Sequence, residues 1–323
     1  MMTPQQTANL SLVSPYPLDL TPEKTTTYDI AVVVVNWNVK DLLCNCLESL
    51  RKAVMGLAVR VVVVDNASSD GSAEMVESLF PEVELVRNQT NAGFARANNQ
   101  GLERYQKNSR FLLLLNPDTV VSPECFHAMI RFMEERPEAG IIGCKLIKPD
   151  GSLDYACKRS YITPDVLFYK ALGLDKRFPQ SERFGRYQLT FLDPDQVHEV
   201  DSVVGAFLMI RRECVADIGL LDTSFFMYAE DIEWCYRAKR AGWSVYYVPT
   251  ATVLHHKGQS TSKCSNRMIF HWYDATWRVY RKQLASRYSP IVNAMVWTGC
   301  YGMCVASLVA NAVRGSKQVP SRR

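Results

Sequence analysis

Three short apolar runs, each ending in polar turn residues, decide the fold of this chain. They read IAVVVVNWN at residues 30–38, VRVVVVDNASSDG at residues 59–71 and FLLLLNPDT at residues 111–119. A continuous apolar run of five or six residues between turn residues is typical of a strand that is buried on both faces. Helical patterns separate the runs, at residues 40–53, 72–79 and 92–106. This alternation predicts an α/β fold with a mostly parallel sheet that is flanked by helices.

Further elements follow the third run, although one stretch is irregular. Residues 149–200 have poor periodicity and many aromatic side chains, so we expect an insertion over one end of the sheet. On either side of this stretch the pattern predicts a helix at residues 123–135, a strand at 140–146, an apolar run at 203–210, a helix at 230–241 and a strand at 244–248. We therefore expect one large α/β domain over residues 29–265.

The two ends of the chain differ from this body in composition. Residues 1–28 are polar and contain four prolines, which predicts a mobile tail, and they lack the pattern of a secretory signal. Eight Lys and Arg residues and no acidic residue follow Asp274, whereas the rest of the chain has 29 basic against 33 acidic residues. Residues 266–323 thus form a basic, apolar and helical C-terminal region. This asymmetry predicts an anionic partner at that end, with a membrane surface as the first candidate and no nucleic acid.

An uncharged stretch of 24 residues, 290–313, lies inside the basic region. It is long enough for a membrane span, which needs about 20 apolar residues. Asn293, Ser307 and Asn311 fall on one side of a helix, however, so a helix that lies in the membrane interface or packs on a partner is preferred to a span. Ten scattered cysteines without paired C-x-x-C units favour free thiols in a reducing cytosol. The expected location is cytoplasmic, peripheral to the inner face of the cell membrane.

Polar side chains follow the predicted strands at the edge where parallel sheets bind ligands. They are Asn36 and Asn38 after the first strand, Asp65 and Asn66 after the second, and Asn116 and Asp118 after the third. Each of them, taken alone, is also typical of a turn. Neither G-x-G-x-x-G after the first strand nor G-x-x-x-x-G-K-[ST] occurs, so a glycine-rich phosphate cradle is missing. The Asp118 carboxylate suits Mg²⁺ or Mn²⁺, and such an ion is able to bridge a nucleotide diphosphate.

Seven segments share their order and spacing with a known family. They are VVVVNWN (32–38), VVVVDNASSDGS (61–72), NAGFARANNQG (91–101), LLLLNPDT (112–119), GAFLMIRR (205–212), FFMYAEDIEW (225–234) and HHKGQS (255–260). The set resembles the inverting family 2 glycosyltransferases of GT-A fold, and among them it is most similar to bacterial rhamnosyltransferases that build lipid-linked polysaccharide.

The resemblance implies a role for each matching residue. Asp65 would accept a hydrogen bond from the pyrimidine ring of the donor nucleotide, and Arg96 would approach its diphosphate. The other implied donor-binding residues are Asn36, Asn38, Asn66 and Asn116. Asp118 and His256 would hold Mg²⁺ or Mn²⁺; Asn116 stands where the family often has the first residue of Asp-x-Asp. Asp231 would be the general base, with Glu230 beside it, and Gly205 and Trp234 would lie on the acceptor side.

The implied activity is transfer of one sugar per encounter from a nucleotide-diphospho-sugar to a lipid-linked or polysaccharide acceptor in cell-envelope glycan synthesis. The Q-x-x-R-W signature of processive synthases is absent. TDP-rhamnose is the leading donor, with UDP-linked hexoses behind it. One alternative, a sugar-nucleotidyltransferase, would need a glycine-rich basic loop that residues 36–40 lack. Another is a non-catalytic sugar-nucleotide-binding protein of the same fold, against which Asp65, Asp118 and Asp231 argue.

Overall fold

The computed structural model describes residues 27–256 and 265–313. Within these ranges lie nine strands: β1 (Tyr28–Asn36), β2 (Val59–Asp65), β3 (Glu84–Arg87), β4 (Ser109–Leu115), β5 (Thr119–Val121), β6 (Ala139–Ile147), β7 (His198–Glu199), β8 (Phe207–Arg211) and β9 (Ser244–His255). The helices of the same ranges are α1 (Lys40–Ala53), α2 (Ser72–Leu79), α3 (Phe94–Tyr105), α4 (Cys125–Glu135), α5 (Pro164–Ala171), α6 (Leu174–Arg177), α7 (Arg212–Ile218), α8 (Glu230–Arg240), α9 (Ser265–Gln283) and α10 (Pro290–Val313). The predicted tail lies outside the described residues up to position 26, as do residues 257–260 of the HHKGQS segment and the last four basic residues.

All nine strands belong to one mixed sheet with the order β3-β2-β1-β4-β8-β6-β9-β5, in which β7 also pairs with β9. The predicted parallel arrangement is found in β3, β2, β1 and β4. Strand β8 then enters antiparallel between β4 and β6, whereas β6 and β9 are parallel to each other. The fold is thus α/β with helices packed on the sheet, and its second half mixes strand directions.

The apolar runs form the core because they are covered on both faces. The side chains of residues 30–34, 62–64 and 112–114 are completely or almost completely buried. Helices α1 and α3 pack against this half of the sheet through apolar and small residues such as Leu43, Leu47 and Ala97. Burial of each large aliphatic side chain contributes roughly 1.5–3 kcal/mol, so these runs fix the position of the strand ends that follow them.

Residues 149–200 form the predicted insertion. It contains a 3-10 turn at Tyr155–Cys157, the short helices α5 and α6 and, at its end, the two-residue strand β7; the rest is irregular backbone. Two main-chain hydrogen bonds join Arg159 to Ser202, which precedes β8: Arg159 N–H donates to Ser202 O (2.9 Å) and Ser202 N–H donates to Arg159 O (3.0 Å). The insertion is thereby fixed beside the start of β8.

Helices α9 and α10 form a pair at the C-terminal end of the described chain. The three polar residues that were expected on one side of α10 all bond to α9 or to the residues just after it: Asn293 accepts from Tyr280 (2.5 Å), Ser307 and the Tyr273 hydroxyl are 3.0 Å apart, and Asn311 donates to Asn266 (2.6 Å). The opposite side of α10 is apolar and exposed, with Ile291, Met295, Val305 and Val309 each more than half exposed. By length and composition alone, residues 290–312 are also sufficient to cross a membrane.

Candidate active site

The ends of β1 and β2 carry a hydrogen-bonded polar network. Parallel pairing places Asn36 directly opposite Asp65. The Asn36 Nδ2 group donates to Asp65 Oδ1 (2.9 Å) and to Ser68 Oγ (3.1 Å), and Ser68 N–H donates to Asp65 Oδ2 (2.9 Å). A carboxylate has about four lone-pair sites, so Asp65 keeps acceptor capacity for a ligand. Asn36 Oδ1 is buried and has no hydrogen-bond partner among the described residues.

Two further asparagines fix the loops around this network. Asn38 adopts a left-handed backbone with φ of 55°, and its Oδ1 accepts from Ser69 N–H (2.7 Å). Asn66 lies after β2, donates from Nδ2 to Gly93 O (3.3 Å) and accepts from Ala92 N–H (3.2 Å). Asn36, Asn38, Asp65 and Asn66 are therefore brought together, and Asn66 connects them to the loop that precedes α3.

The loop before α3 contacts the loop before α8 at close range. Phe94 N–H donates to Phe226 O (2.7 Å), and a Cβ at Gly93 would lie 2.5 Å from the same oxygen. Gly93 has φ of 84° and ψ of 171°, a combination that only glycine readily adopts. Tyr228 and Ala229 also have positive φ, of 73° and 64°. Such conformations cost about 1–3 kcal/mol each and concentrate at functional sites.

Asp118 lies just after β4 and faces a histidine from β9. His255 Nε2 is 3.4 Å from Asp118 Oδ1, and His255 Nδ1 is 3.1 Å from Asp154 Oδ2. Burial lowers the pKa of His255, but the two carboxylates outweigh it and raise the pKa to about 9. The neighbouring His256, which was expected to be the metal-binding histidine, meets Asp118 through its main chain: its N–H donates to Asp118 O (2.8 Å).

A divalent cation fits the Asp118 position chemically. Asp118 Oδ1 is buried without a hydrogen-bond partner among the described residues. Carboxylate and imidazole both bind Mn²⁺; with Asp154 at Nδ1, loss of the Nε2 proton of His255 on metal binding would leave Nε2 as the atom that faces the metal. Within residues 27–256 and 265–313, no group of three or more His, Cys, Asp and Glu side chains is arranged to hold a metal ion. The protein would thus supply few ligands, and donor phosphate oxygens would have to complete the coordination.

Asp231 is the second residue of α8 and lies beside the end of β4. The antiparallel pairing of β4 with β8 places Asn116 near the start of β8, where Asn116 N–H donates to Ala206 O (3.0 Å). The preceding residue, Gly205, donates its N–H to Asp231 Oδ2 (3.0 Å). The same Oδ2 accepts from Arg159 Nη2 (2.8 Å). The sheet topology thereby brings Asp231 to the same edge as Asp118.

Glu230, the first residue of α8, is buried and only 5% exposed. Its Oε2 has no hydrogen-bond partner among the described residues. Burial, followed by the negative charge of Asp231, raises the pKa of Glu230 to about 8. The two neighbouring carboxyl groups therefore differ: Glu230 is largely protonated at neutral pH, whereas Asp231 is held by a cation.

Three further residues that were expected in the site, Arg96, Asn116 and Trp234, lie in different environments. Arg96 is exposed on the first turn of α3, and no ion pair to another described residue is formed by its side chain. Asn116 lies between β4 and Asp118. Trp234, which was expected on the acceptor side, is instead completely buried and donates its indole N–H to Gly219 O (2.9 Å), so its geometry supports a packing role.

Sequence reasoning missed Arg159 and Asp154 and set His255 below His256. Arg159 and Asp154 lie in the irregular insertion, where no periodicity marks them. His255 is the last residue of β9 and His256 follows it, so the sequence indicated that one of the two histidines at this strand end could face Asp118. Only the pairing of Thr119 with His255 between β5 and β9 decides which one.

Comparisons with known proteins identify the family of this chain. A model of the family described as glycosyltransferase like family 2 matches residues 28–275. The N-acetylglucosaminyl-diphospho-decaprenol L-rhamnosyltransferase of Mycobacterium tuberculosis is 29% identical over 217 residues, which are 64% of this chain and 69% of that protein. The rhamnosyltransferase WbbL of Escherichia coli is 26% identical over 203 residues, 60% of this chain and 72% of that protein.

Solved structures show the same fold. The mannosyltransferase PcManGT from Pyrobaculum calidifontis, in complex with GDP-Man and Mn²⁺, superimposes with a TM-score of 0.57 over 95% of this chain and 81% of that chain, at 17% identity. TarS of S. aureus has a TM-score of 0.51, covers 90% of this chain and 76% of that chain, and is 15% identical. The expected GT-A fold is confirmed. Since the family model covers more than half of the sequence, this chain belongs to glycosyltransferase family 2 and is a glycosyltransferase.

Proposed function

We propose that this protein transfers one sugar, with inversion, from a pyrimidine nucleotide donor to a lipid-linked acceptor, and that TDP-rhamnose is the donor. The observation that carries the proposal is the convergence of Asp65, Asp118 and Asp231 at one sheet edge, each buried and each beside a different kind of partner. The rhamnosyltransferases among the relatives support the choice of sugar, and the decaprenol-linked substrate in the name of the mycobacterial protein supports the class of acceptor.

The donor base is proposed to bind the Asn36–Asp65 network. Asp65 retains lone pairs that face no described donor, and Asn36 Oδ1 is a buried acceptor without a partner. An N–H of a pyrimidine ring supplies the missing donor. Because a buried unsatisfied acceptor costs about 1–3 kcal/mol, filling this position favours a base with a ring N–H.

The donor diphosphate is proposed to lie between Arg96 and Asp118. A divalent cation held there by Asp118, with His256 as first expected or with His255 as the geometry favours, would neutralise charge on the departing nucleoside diphosphate. Equilibrium dialysis of Mn²⁺ in the presence of TDP tests this assignment. Asp118→Ala and His255→Gln should each weaken Mn²⁺ binding in the presence of TDP, whereas His256→Gln should not. Unchanged Mn²⁺ binding by Asp118→Ala rules the site out.

Asp231 is proposed to be the general base. Its carboxylate would take the proton of the acceptor hydroxyl while the hydroxyl oxygen bonds to the anomeric carbon and the bond from that carbon to the diphosphate oxygen breaks. Gly205 N–H and Arg159 hold Oδ2, which fixes the carboxylate in one orientation. Glu230, protonated at neutral pH, is less suited to accept that proton.

The exposed side of α10 is proposed to attach the enzyme to the cytoplasmic face of an anionic membrane. Its exposed apolar residues lie opposite the stripe that bonds to α9. Phe168 on α5 and Leu172 just after α5 are also exposed, each by more than half. Buried apolar area gives attachment that salt does not weaken, whereas each Lys or Arg near the surface adds about 1 kcal/mol that salt does weaken.

Substitution on the exposed side of α10 tests the attachment without removing the helix. Met295→Glu combined with Val309→Glu should move the protein from membrane to soluble fractions, whereas Met55→Glu, at an equally exposed methionine after α1, should not. Deletion of residues 285–323 would also expose Tyr280 and Leu284, so an aggregated truncation would indicate a core role. A wild-type protein that is wholly soluble at low salt contradicts the proposal.

The activity itself is tested with purified protein, a panel of nucleotide sugars and a polyprenyl-diphosphate-linked N-acetylglucosamine acceptor. Thermal stabilisation ranks the donors, because a ligand that binds only the folded state raises stability by mass action. We expect acceptor-dependent release of TDP from TDP-rhamnose and an inverted anomeric configuration in the product. Release of UDP from a UDP-hexose instead would correct the donor, and release of neither would contradict the transferase proposal for these substrates.

A further inference from the structure

A buried ion pair joins the insertion to the proposed base. Arg159 Nη2 lies 2.8 Å from Asp231 Oδ2, and the two side chains are only 10% and 6% exposed. The same Nη2 also donates to Val203 O (2.8 Å). The main-chain N–H and C=O groups of Arg159 both bond to Ser202. Arg159 is therefore held at its backbone as well as at the end of its side chain.

The charged and titratable groups around this pair come from two elements. On α8 they are Glu230 and Cys235, and on the insertion they are Arg159 itself and Tyr187, which faces it. Arg159 is the cation of this set. Burial disfavours its charge, yet the attraction of Asp231 raises the pKa of the guanidinium above its ordinary value. Without Arg159, two neighbouring buried carboxyl groups would share the site, and like charges at that range disfavour ionisation.

We propose that Arg159 is a positioning residue for the reaction: it holds Asp231 in the orientation and the charge state that the proposed base needs. The inference rests on the proposed function of Asp231. The ion pair holds Oδ2 through a charged hydrogen bond of 2.8 Å from the guanidinium. Glu230 is the carboxyl group of the pair that is protonated. Gly205 N–H is the second hydrogen-bond donor to Asp231 Oδ2.

The alternative is that the pair only supports the fold. Buried ion pairs often add little net stability, although loss of one partner is strongly destabilising. A structural role predicts changes in thermal stability alone. A positioning role predicts a change in the pH profile of turnover as well, because the ionised form of Asp231 loses its stabilising cation.

Two variants separate charge from geometry. Arg159→Gln keeps an N–H donor and removes the charge, and Arg159→Lys keeps the charge and removes the planar fork that reaches both Asp231 and Val203. Arg186→Gln, an exposed arginine of the same insertion, is the matched control. Turnover is measured from pH 5.5 to 9, and TDP binding and melting temperature are measured for every variant.

We expect Arg159→Gln to lower turnover by up to about 100-fold and to move the acidic limb of the profile about one to three units to higher pH, with TDP binding retained. Arg159→Lys should lower turnover by about tenfold or more and leave the limb in place. Arg186→Gln should match the wild type. If Arg159→Gln does not fold, Arg159→Lys serves as the test. Wild-type turnover of Arg159→Lys would overturn the positioning role.

Combination with Asp231→Asn distinguishes failure of the inference from failure of the proposed base. If Arg159 acts through Asp231, Arg159→Gln causes little further loss in the Asp231→Asn background. An equal loss in both backgrounds overturns the inference. Wild-type turnover of Asp231→Asn overturns the base itself and the inference with it, whereas an inactive Asp231→Asn beside a fully active Arg159→Gln overturns only the inference.

Discussion

Asp65 and Asp231 are both buried carboxylates at the same sheet edge, yet the protein holds them in different ways. Asp65 accepts hydrogen bonds from neutral groups, the Asn36 amide and the Ser68 N–H. Asp231 accepts from a guanidinium and from the Gly205 N–H. Neutral donors orient a carboxylate without pairing with its negative charge, so that charge remains available to interact with a ligand. A cation pairs with the charge and fixes the carboxylate beside the buried Glu230.

The partners also differ in their distance along the chain. Asp65 is bonded to residues 29 and 3 positions away, whose places follow from two neighbouring parallel strands. Asp231 is bonded to residues 72 and 26 positions away, one in the insertion and one before the antiparallel strand β8. The nucleotide side of the site is thus built from two adjacent parallel strands and the turn after them, and the proposed base side from the insertion and the segment before an antiparallel strand.

Isosteric substitution of the two carboxylates should give opposite kinetic results. Asp231→Asn should lower turnover by about 10²–10⁴-fold and leave TDP affinity unchanged, because positioned proton transfer is lost. Asp65→Asn should lower TDP affinity by about tenfold or more, since a hydrogen bond to a charged group contributes about 1.5–3 kcal/mol. Steady-state kinetics and calorimetric TDP titration measure both effects. Equal changes in turnover and affinity for the two variants would contradict the division of roles.

The loop before α3 contacts the loop before α8 and thereby joins the nucleotide side of the site to the proposed base side. We expect disruption of this contact to have the next largest effect on stability. Gly93→Ala should lower the free energy of unfolding by about 3 kcal/mol, because its backbone suits only glycine and its Cβ would meet Phe226 O. Gly151→Ala is the control: it also has positive φ, of 78°, but its Cβ would meet nothing within 4 Å. Urea unfolding should show a smaller loss, of about 1 kcal/mol, for the control. Equal losses would show that the loop contact is unimportant.

The protonated state of Glu230 predicts an effect that is spread over several pH units. Its pKa rises from 4.5 in the unfolded chain to about 8 in the folded protein. Between these values the folded protein binds the proton more than the unfolded chain does, so the free energy of unfolding falls as pH rises, by up to about 1.4 kcal/mol per unit. Glu230→Gln mimics the protonated form and removes this dependence.

Urea unfolding of the wild type and of Glu230→Gln at pH 5, 6, 7 and 8 measures the difference. The stability of Glu230→Gln relative to the wild type should increase steadily across this window. A difference that is constant from pH 5 to 8 would mean that Glu230 does not carry its proton into the neutral range, and it would remove the contrast between the two carboxyl groups of α8.

The sequence was sufficient to place the strand ends of the first half and the polar residues on them. Asn36, Asp65 and Asp118 follow continuous apolar runs, and burial of those runs leaves little freedom in where the next residue lies. The sequence also placed the polar side of α10, because helical spacing is a local property. The sequence was not sufficient to decide whether His255 or His256 faces Asp118. Neighbouring residues point in opposite directions at a strand end, and the register of β9 against β5 decides which one meets Asp118.

What the sequence by itself determined about this protein is the set of parts: the apolar runs, the turn residues after them, the acidic pair that begins α8 and the uncharged, basic-flanked C-terminal stretch. Their periodicity and spacing are properties of neighbouring residues. Only the tertiary structure decided that β8 runs antiparallel beside β4, that the irregular insertion delivers Arg159 to Asp231, and that Trp234 is buried. These outcomes depend on contacts between residues far apart in the chain, which side chains acquire only when the sheet order and the strand register are fixed.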